Sequence, residues 1–311
     1  METAHFPDDP PPRWHQPVLA LGNFDGLHRG HMKIIDRVRR RAGERGGTPA
    51  AMTFEPHPSR VLRPDKAPPL LMTKQQRIEA LWRSGMHGVA VVGFTEELSR
   101  WDPEAFVRTV LVEWLHVAEV WVGANFLFGH ERAGTFTVLR SLGARYGFRA
   151  EKIDPVRYKD FVVSSTRIRR LLTEGRVDEA GALLGHHYFI DGTVARGAGR
   201  GRELGFPTAN LSTPNELVPP AGVYATTITI DGIVHPSVTN IGMRPTFGDV
   251  DRPVVEAHIF DVDRDLYDME VRLSFVQRLR DERPFADVDA LRTQIEADCR
   301  SARRLFGRIS L

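Results

Sequence analysis

The densest chemistry in the chain lies in Leu204-Gly205-Phe206-Pro207-Thr208-Ala209-Asn210, directly after the run Arg196-Gly197-Ala198-Gly199-Arg200-Gly201-Arg202. Glycines such as Gly197 and Gly199 leave a bare backbone that phosphate oxygens can approach, and an arginine such as Arg202 adds a forked donor for them. Gly205 and Pro207 then make a turn followed by a stiff residue. Thr208 and Asn210 stand two apart, so on extended backbone their side chains leave the same face. Two neutral oxygens so placed could hold a hard cation such as Mg²⁺, which takes a few protein oxygens and completes its shell with nucleotide phosphates. Taken alone, Thr-Ala-Asn is more often a plain loop entering a strand.

A second constellation lies near the N-terminus, in Gly22-Asn23-Phe24-Asp25-Gly26-Leu27-His28-Arg29-Gly30-His31. His28 and His31 are three apart and share a face if a helix opens there. Gly30 between them admits a ligand to the backbone. A helix N-terminus offers unpaired N–H groups and a partial positive charge, both suited to phosphate. Two imidazoles can donate to phosphate oxygens without burying a permanent charge. Zinc is a poorer fit, because no third ligand stands nearby. A bare His-x-x-His is usually two surface histidines, so position has to decide. A third cluster, Ser164-Ser165-Thr166-Arg167-Ile168-Arg169, sets hydroxyls at a helix start, which taken alone is more often a simple helix cap.

The elements that must position these residues follow from the pattern of apolar side chains. Val18-Leu19-Ala20-Leu21, Pro49-Ala50-Ala51-Met52-Thr53-Phe54, Gly88-Val89-Ala90-Val91-Val92 and Val120-Trp121-Val122 read as buried strands. Helical spacing fills the intervals at 31–42, 74–84, 103–115 and 136–146. Strands alternating with helices of this length predict a parallel, doubly wound sheet, whose ligands bind at the carboxyl ends of the strands. The polar motifs sit there, after Leu21, Phe54 and Val122. Asn125, beyond Val122, is placed to read a polar edge of a ligand.

The second half differs. Segments 188–195, 223–230, 233–240, 254–260 and 271–276 read as strands with few helices between, and Asp231-Gly232 supplies a two-residue hairpin turn. This predicts a small antiparallel barrel. Leu291, Ile295, Cys299, Ala302 and Leu305 or Phe306 recur at steps of three and four, which predicts a closing amphipathic helix. The boundary is expected near 184–187.

Composition narrows the class. The 311 residues suit about two domains, and a net charge of +2 creates no field that would demand nucleic acid or a membrane. Arginine clusters such as Arg37-Val38-Arg39-Arg40-Arg41 fit solvated helix faces. The single cysteine forbids an internal disulfide and a thiolate metal cluster, as expected in a reducing cytoplasm. Residues 1–12 do not resemble a signal peptide, and no apolar run approaches the roughly 20 residues of a membrane span.

The motifs together resemble one family. His28-Arg29-Gly30-His31 resembles the His-x-Gly-His signature of nucleotidyltransferases. With Thr53-Phe54-Glu55-Pro56-His57-Pro58, Gly123-Ala124-Asn125-Phe126-Leu127-Phe128-Gly129 and the 164–169 cluster, it looks like the FMN adenylyltransferase module of bacterial FAD synthetases. The 196–210 stretch, Gly222-Val223-Tyr224, Asn240-Ile241-Gly242-Met243-Arg244-Pro245-Thr246-Phe247, Glu256-Ala257-His258-Ile259, Asp265-Leu266-Tyr267 and Arg280-Asp281-Glu282-Arg283-Pro284-Phe285 are similar to riboflavin kinases. The resemblance spans roughly residues 17 to 307, in the family's order.

That resemblance implies a Rossmann-like α/β nucleotidyltransferase domain at 17–184 and a six-stranded antiparallel β-barrel with a C-terminal helix at 185–311. It implies a bifunctional enzyme in which the barrel phosphorylates riboflavin to FMN and the first domain adenylylates FMN to FAD. ATP is the co-substrate of both steps, with Mg²⁺, and ADP and pyrophosphate are released. By resemblance, Glu256 is the general base for the riboflavin 5′-hydroxyl, and Thr208 and Asn210 hold Mg²⁺. Gly197, Gly199, Arg202, Gly205 and Pro207 form the loop that closes over the phosphates. His28, His31 and Arg169 neutralise the departing pyrophosphate, while Gly22, Asn23, Phe24, Asp25, Gly26, Gly30, Asn125, Ser164, Ser165 and Thr166 line the nucleotide and flavin site. No nucleic-acid or membrane partner is expected, and the chain is read as a monomer or weak homo-oligomer. A single active domain, a flavin-responsive regulator, or an adenylyltransferase fused to a nucleic-acid-binding barrel are the alternatives. The barrel half lacks the clustered aromatics and basic stripe that the last would favour.

Overall fold

Runs of Val, Leu, Ala and Met buried at nearly every position form the centre of a parallel sheet, as strands covered on both faces must. The computed structural model describes residues 1–197, 201, 204–244 and 252–308; Gly199 and Arg202 lie outside them. The strands are β1 (Glu2–Phe6), β2 (Val18–Leu21), β3 (Pro49–Glu55), β4 (Gly88–Gly93), β5 (Glu119–Gly123) and β6 (Arg149–Ile153), in the order β1-β4-β3-β2-β5-β6. Every pairing is parallel. The chain runs outward from β2 to β4, then crosses back to β5. The carboxyl ends of β2 and β5 therefore frame a topological switch point, where ligands of such sheets bind.

The two edges of this sheet are absent from the sequence reading. β1 pairs with β4, from Glu2 opposite Gly88 to Phe6 opposite Val92, so the first residues are part of the sheet. Of its five residues only Ala4 is buried. β6 is Arg-Ala-Glu-Lys-Ile, with only Ala150 and Ile153 buried. Edge strands carry polar side chains because one side meets water, and that weakens the apolar signal.

The helix Arg29–Arg45 covers the sheet with Ile34, Ile35, Val38 and Ala42. It stops at Gly46, whose φ of 65° suits a residue without Cβ and whose N–H bonds back to the Ala42 and Gly43 carbonyls. Its last turns are tied to β5 through Glu119, which is fully buried. Glu119 accepts from Arg41 Nε and Nη2, both at 3.1 Å, and from Trp121 Nε1 at 2.7 Å. A buried carboxylate needs such partners, since losing water uncompensated costs several kcal/mol.

By the density of its contacts the chain divides into two units, Met1–Ser165 and Thr166–Leu311. In the second, β9 (Tyr188–Ala195), β10 (Ala209–Ser212), β11 (Gly222–Ile230), β12 (Ile233–Arg244), β13 (Arg252–Ile259) and β14 (Glu270–Arg280) close a barrel in the order β10-β13-β12-β11-β14-β9. All its pairings are antiparallel, and β9 pairing with β10 completes the ring. The remaining strands, β7 (Arg157–Tyr158) and β8 (Phe161–Val162), form a small hairpin in the first unit. Asp231 and Gly232 turn β11 into β12 with φ of 51° and 80°, the left-handed pair that a two-residue hairpin needs.

The C-terminal helix Val288–Phe306 lays Ala302, with Cys299, Leu305 and Phe306, on Val223, Ala225, Val238 and Phe260 of the barrel. Burial pushes the Cys299 thiol up to about 11, so it stays protonated and packs as a small apolar group. The helix is fastened by an ion pair. Arg280 at the end of β14 donates from Nε and Nη2 to the buried Asp298 carboxylate at 2.9–3.1 Å, and Gln294 adds a bond to the same carboxylate at 2.8 Å. Asp298→Ala should therefore cost about 2 kcal/mol in urea unfolding, the usual worth of hydrogen bonds to a charged group. Arg300→Ala, on an exposed side chain of the same helix, should change stability by less than about 0.5 kcal/mol.

Candidate functional site

In the first unit, the turn after β2 delivers its histidines through a helix cap. His28 is the N-cap of the Arg29–Arg45 helix, and its Nδ1 accepts the His31 backbone N–H at 3.3 Å. With Nδ1 accepting, the proton of the neutral ring sits on Nε2. The two imidazoles stack 3.7 Å apart and 11° from parallel, and Phe24 packs edge-on against His31 at 5.2 Å. Burial first, and the neighbouring His28 second, hold the His31 pKa well below its usual 6.5, so His31 is neutral at pH 7. Among the described residues its Nδ1 is buried with no hydrogen-bond partner.

The glycines of this turn have distinct reasons. Gly26 takes φ 86°, a left-handed conformation. A Cβ at Gly30 would come within 3.1 Å of the His28 ring, and one at Gly22 would rest 3.5 Å from the Phe24 ring. Phe24 itself is fully buried.

Asn23 and Asp25 make hydrogen bonds that order the turn. The Asn23 amide meets His57 Nε2 at 3.0 Å, and its carbonyl accepts from the Thr53 hydroxyl at 3.0 Å. His57 caps the short Pro58–Leu62 helix, its Nδ1 accepting the Ser59 N–H at 3.2 Å. The sequence signals His57 only by its place in Glu55-Pro56-His57-Pro58, just after β3. Asp25, 1% exposed, accepts the Leu71 and Met72 backbone N–H groups at 2.9–3.2 Å. Its carbonyl accepts the Ser165 hydroxyl at 2.9 Å. One residue thus joins the histidine turn, the 71–72 segment and the start of the Ser165–Thr173 helix. Ser164 immediately precedes that helix, and Thr166 and Arg169 lie along it in the second unit. Ile168, Leu171 and Leu172 are its buried face. Asn125 is exposed in the turn beyond β5, whose Phe126 N–H bonds to the Gly123 carbonyl at 3.1 Å.

In the second unit the barrel ladder sets the geometry. Asn210 of β10 lies opposite Glu256 of β13, and Glu256 opposite Asn240 of β12. The next residues along, Leu211, Val255 and Ile241, are buried in the barrel. Strand side chains alternate, so Asn210, Glu256 and Asn240 form a row on the outer face. Directly opposed residues have Cβ atoms about 4.5–5.5 Å apart, close enough to act on one ligand. Thr208 stands two residues before Asn210, one residue ahead of the strand.

Two glycines of the Arg/Gly run, Gly197 and Gly201, lie against this row. A Cβ at Gly197 would overlap the Asn210 amide at 2.0 Å, and one at Gly201 would stand 2.5 Å from the Phe206 carbonyl oxygen and 3.0 Å from Thr208 Oγ1. Any side chain at either position would push into the two oxygen donors, so glycine there is a packing requirement. Gly205 turns at φ 85°, and the Pro207 carbonyl accepts from His258 Nδ1 at 2.9 Å. At the other end of the row, Glu282 stands 3.1 Å from where a Cβ of Gly242 would be. Among the described residues no group of three or more His, Cys, Asp or Glu is placed to hold a metal, so a cation here would rely on neutral oxygens and phosphate.

Residues 11–167 match the family model of FAD synthetase, and residues 184–306 that of riboflavin kinase. The chain is 39% identical to a bifunctional riboflavin kinase/FMN adenylyltransferase of Pseudomonas fluorescens, covering 93% of this chain and 92% of that one. It is 37% identical to the enzyme of the same name from Bacillus subtilis (strain 168), over 94% and 93% of the two chains. With the Escherichia coli (strain K12) enzyme it shares 35% identity, over 93% of each. The backbone is also similar to the crystal structure of a macrolide-efflux protein from Streptococcus pneumoniae, with a TM-score of 0.88, 27% identity, and coverage of 97% of this chain and 98% of that one. Among the described residues no helix is long and apolar enough to cross a membrane. The chain belongs to the bifunctional riboflavin kinase/FMN adenylyltransferase family.

Proposed function

We propose that the chain converts riboflavin to FAD in two ATP-dependent steps, each carried by its own set of side chains. The barrel transfers the γ-phosphoryl group of ATP to the riboflavin 5′-hydroxyl, giving FMN and ADP. The parallel-sheet domain joins FMN to the adenylyl group of a second ATP, giving FAD and pyrophosphate. The observation that carries the reading is the register that sets Asn210 opposite Glu256, with Gly197 against the same amide.

In the first step Glu256 takes the proton of the attacking hydroxyl, a primary alcohol too weakly nucleophilic to attack well unassisted. Thr208 and Asn210 would hold Mg²⁺, a fit supported by hard neutral oxygens beside one carboxylate and by glycines that leave room for phosphates. When bound, the ion would supply charge neutralisation to the ATP phosphates. Gly197, Gly205 and Pro207, with Gly199 and Arg202 beyond the described residues, form the phosphate loop.

In the second step the nucleophile is the FMN phosphate, already an oxyanion, so positioning and charge stabilisation do the work. His28, its proton placed on Nε2 by the helix cap, donates to an oxygen of the departing pyrophosphate; neutral His31 stacks behind it. Ser164 and Ser165 complete the anion site in this unit, with Gly22, Gly26 and Gly30 clearing the approach and Asn125 reading a polar edge of the ligand; Thr166 and Arg169 are assigned to phosphate by the family resemblance. Asn23, Phe24 and Asp25 belong to the same ligand site. We place the enzyme in the cytoplasm, as its single protonated thiol suits, and read it as a monomer or weak homo-oligomer.

Separate substitutions should separate the steps. Glu256→Gln should lower FMN formation from riboflavin by about 10²–10⁴-fold while leaving FAD formation from supplied FMN unchanged. His28→Ala should do the opposite, lowering FAD formation from FMN by about 10²-fold or more and sparing the kinase. Loss of both steps in either variant would contradict two independent sites. Gly30→Ala, which crowds the His28 ring, should lower adenylylation by about tenfold or more without touching FMN formation. An unchanged rate would show that the ring position does not matter.

A further inference from the structure

We infer that His258 is a positioning residue for the kinase half, holding the Pro207-Thr208 segment in place for Mg²⁺ and phosphate; the inference rests on the assignment of Thr208 and Asn210 as the cation's ligands. β10 begins at Ala209, paired with Ala257. Thr208 therefore lies one residue outside the ladder, where no strand pairing fixes it. Pro207 before it has no N–H and cannot pair as a donor. The carbonyl of Pro207 is fixed instead by His258, whose Nδ1 lies 2.9 Å away. A carbonyl oxygen only accepts, so Nδ1 carries the proton.

Two further contacts tighten the same segment. The His258 ring meets the Phe206 ring nearly perpendicular at 5.5 Å and is backed by Phe260 at 5.7 Å. The Phe206 N–H closes onto the Gly201 carbonyl at 2.8 Å. His258 is two residues from Glu256 on β13, so both leave the outer face of the barrel together. The strand that carries the base thus also carries the group that aims the cation loop. The chain's own register sets the spacing between the two.

The test separates the donor from the ring. His258→Phe keeps an aromatic edge but has no donor; His258→Asn keeps a donor, its Nδ2 standing where Nδ1 was, but has no ring. Two readouts apply to the full chain. The first is hydrogen–deuterium exchange of peptides covering 204–212 without nucleotide. The second is the Mg²⁺ concentration that half-saturates FMN formation, with FAD formation from FMN as the internal control. His258→Phe should speed exchange in that segment and raise the Mg²⁺ requirement, each about fivefold, as loss of one hydrogen bond would. His258→Asn should stay within about twofold of the parent protein on both, and FAD formation should be unchanged in both variants.

Equal exchange and equal Mg²⁺ requirement in the Phe and Asn variants would overturn the inference. If the Phe variant fails to fold, His258→Ala replaces it, and equality between Ala and Asn overturns the inference in the same way. Thr208→Ala keeps this outcome distinct from failure of the underlying assignment. A Mg²⁺ requirement raised by Thr208→Ala but not by His258→Phe removes only His258. A requirement raised by neither removes the metal assignment itself.

Discussion

The kinase half of this protein depends on strand register. The main-chain ladder between β10, β13 and β12 puts Asn210, Glu256 and Asn240 side by side, and nothing else in the barrel could do so with the same certainty. Side chains alternate along a strand, so a slip of one residue would turn Glu256 into the barrel interior and bring Val255 out. The buried set of Leu211, Val255, Ala257 and Ile241 opposes that slip, because each would lose its apolar surroundings. The closed ring leaves no free edge through which the register could relax. Packing inside the barrel therefore fixes chemistry on its outside.

The adenylyltransferase half solves the same problem with turns. Its strands end at a topological switch point, but the candidate histidines lie beyond them, in backbone that no ladder holds. Local polar bonds replace the ladder: His28 caps its own helix, Asn23 meets His57, and Asp25 gathers two backbone N–H groups and the Ser165 hydroxyl. Each bond is modest, but together they leave the turn few alternative conformations. The His31 ring, neutral through burial, joins the stack without an uncompensated charge.

How far the sequence disclosed this arrangement depended on the signal each residue carries. The central strands were legible because strands buried on both faces are apolar throughout, and Asp231-Gly232 announced its hairpin. The edge strands Glu2–Phe6 and Arg149–Ile153 were not, because a half-exposed edge reads as polar. β10 escaped notice as a strand, since Ala-Asn-Leu-Ser is too short to show a period. Among the candidate residues, types and spacing pointed to His28, His31, Thr208 and Asn210. Glu256 and Arg169 came only through resemblance, since a lone charged residue in a strand or helix carries no pattern. The parts played by Asp25, His57 and His258 depend on partners 46, 34 and 51 residues away, and no local spacing encodes such contacts.

The central claim is that one chain carries riboflavin through to FAD. Its most direct measurement is a time course of the unmodified protein with riboflavin, ATP and Mg²⁺, the flavins being resolved by chromatography. The account predicts that FMN rises first and FAD follows at its expense. Riboflavin that binds but is never converted, or FMN that accumulates without FAD when ATP is in excess, would contradict it.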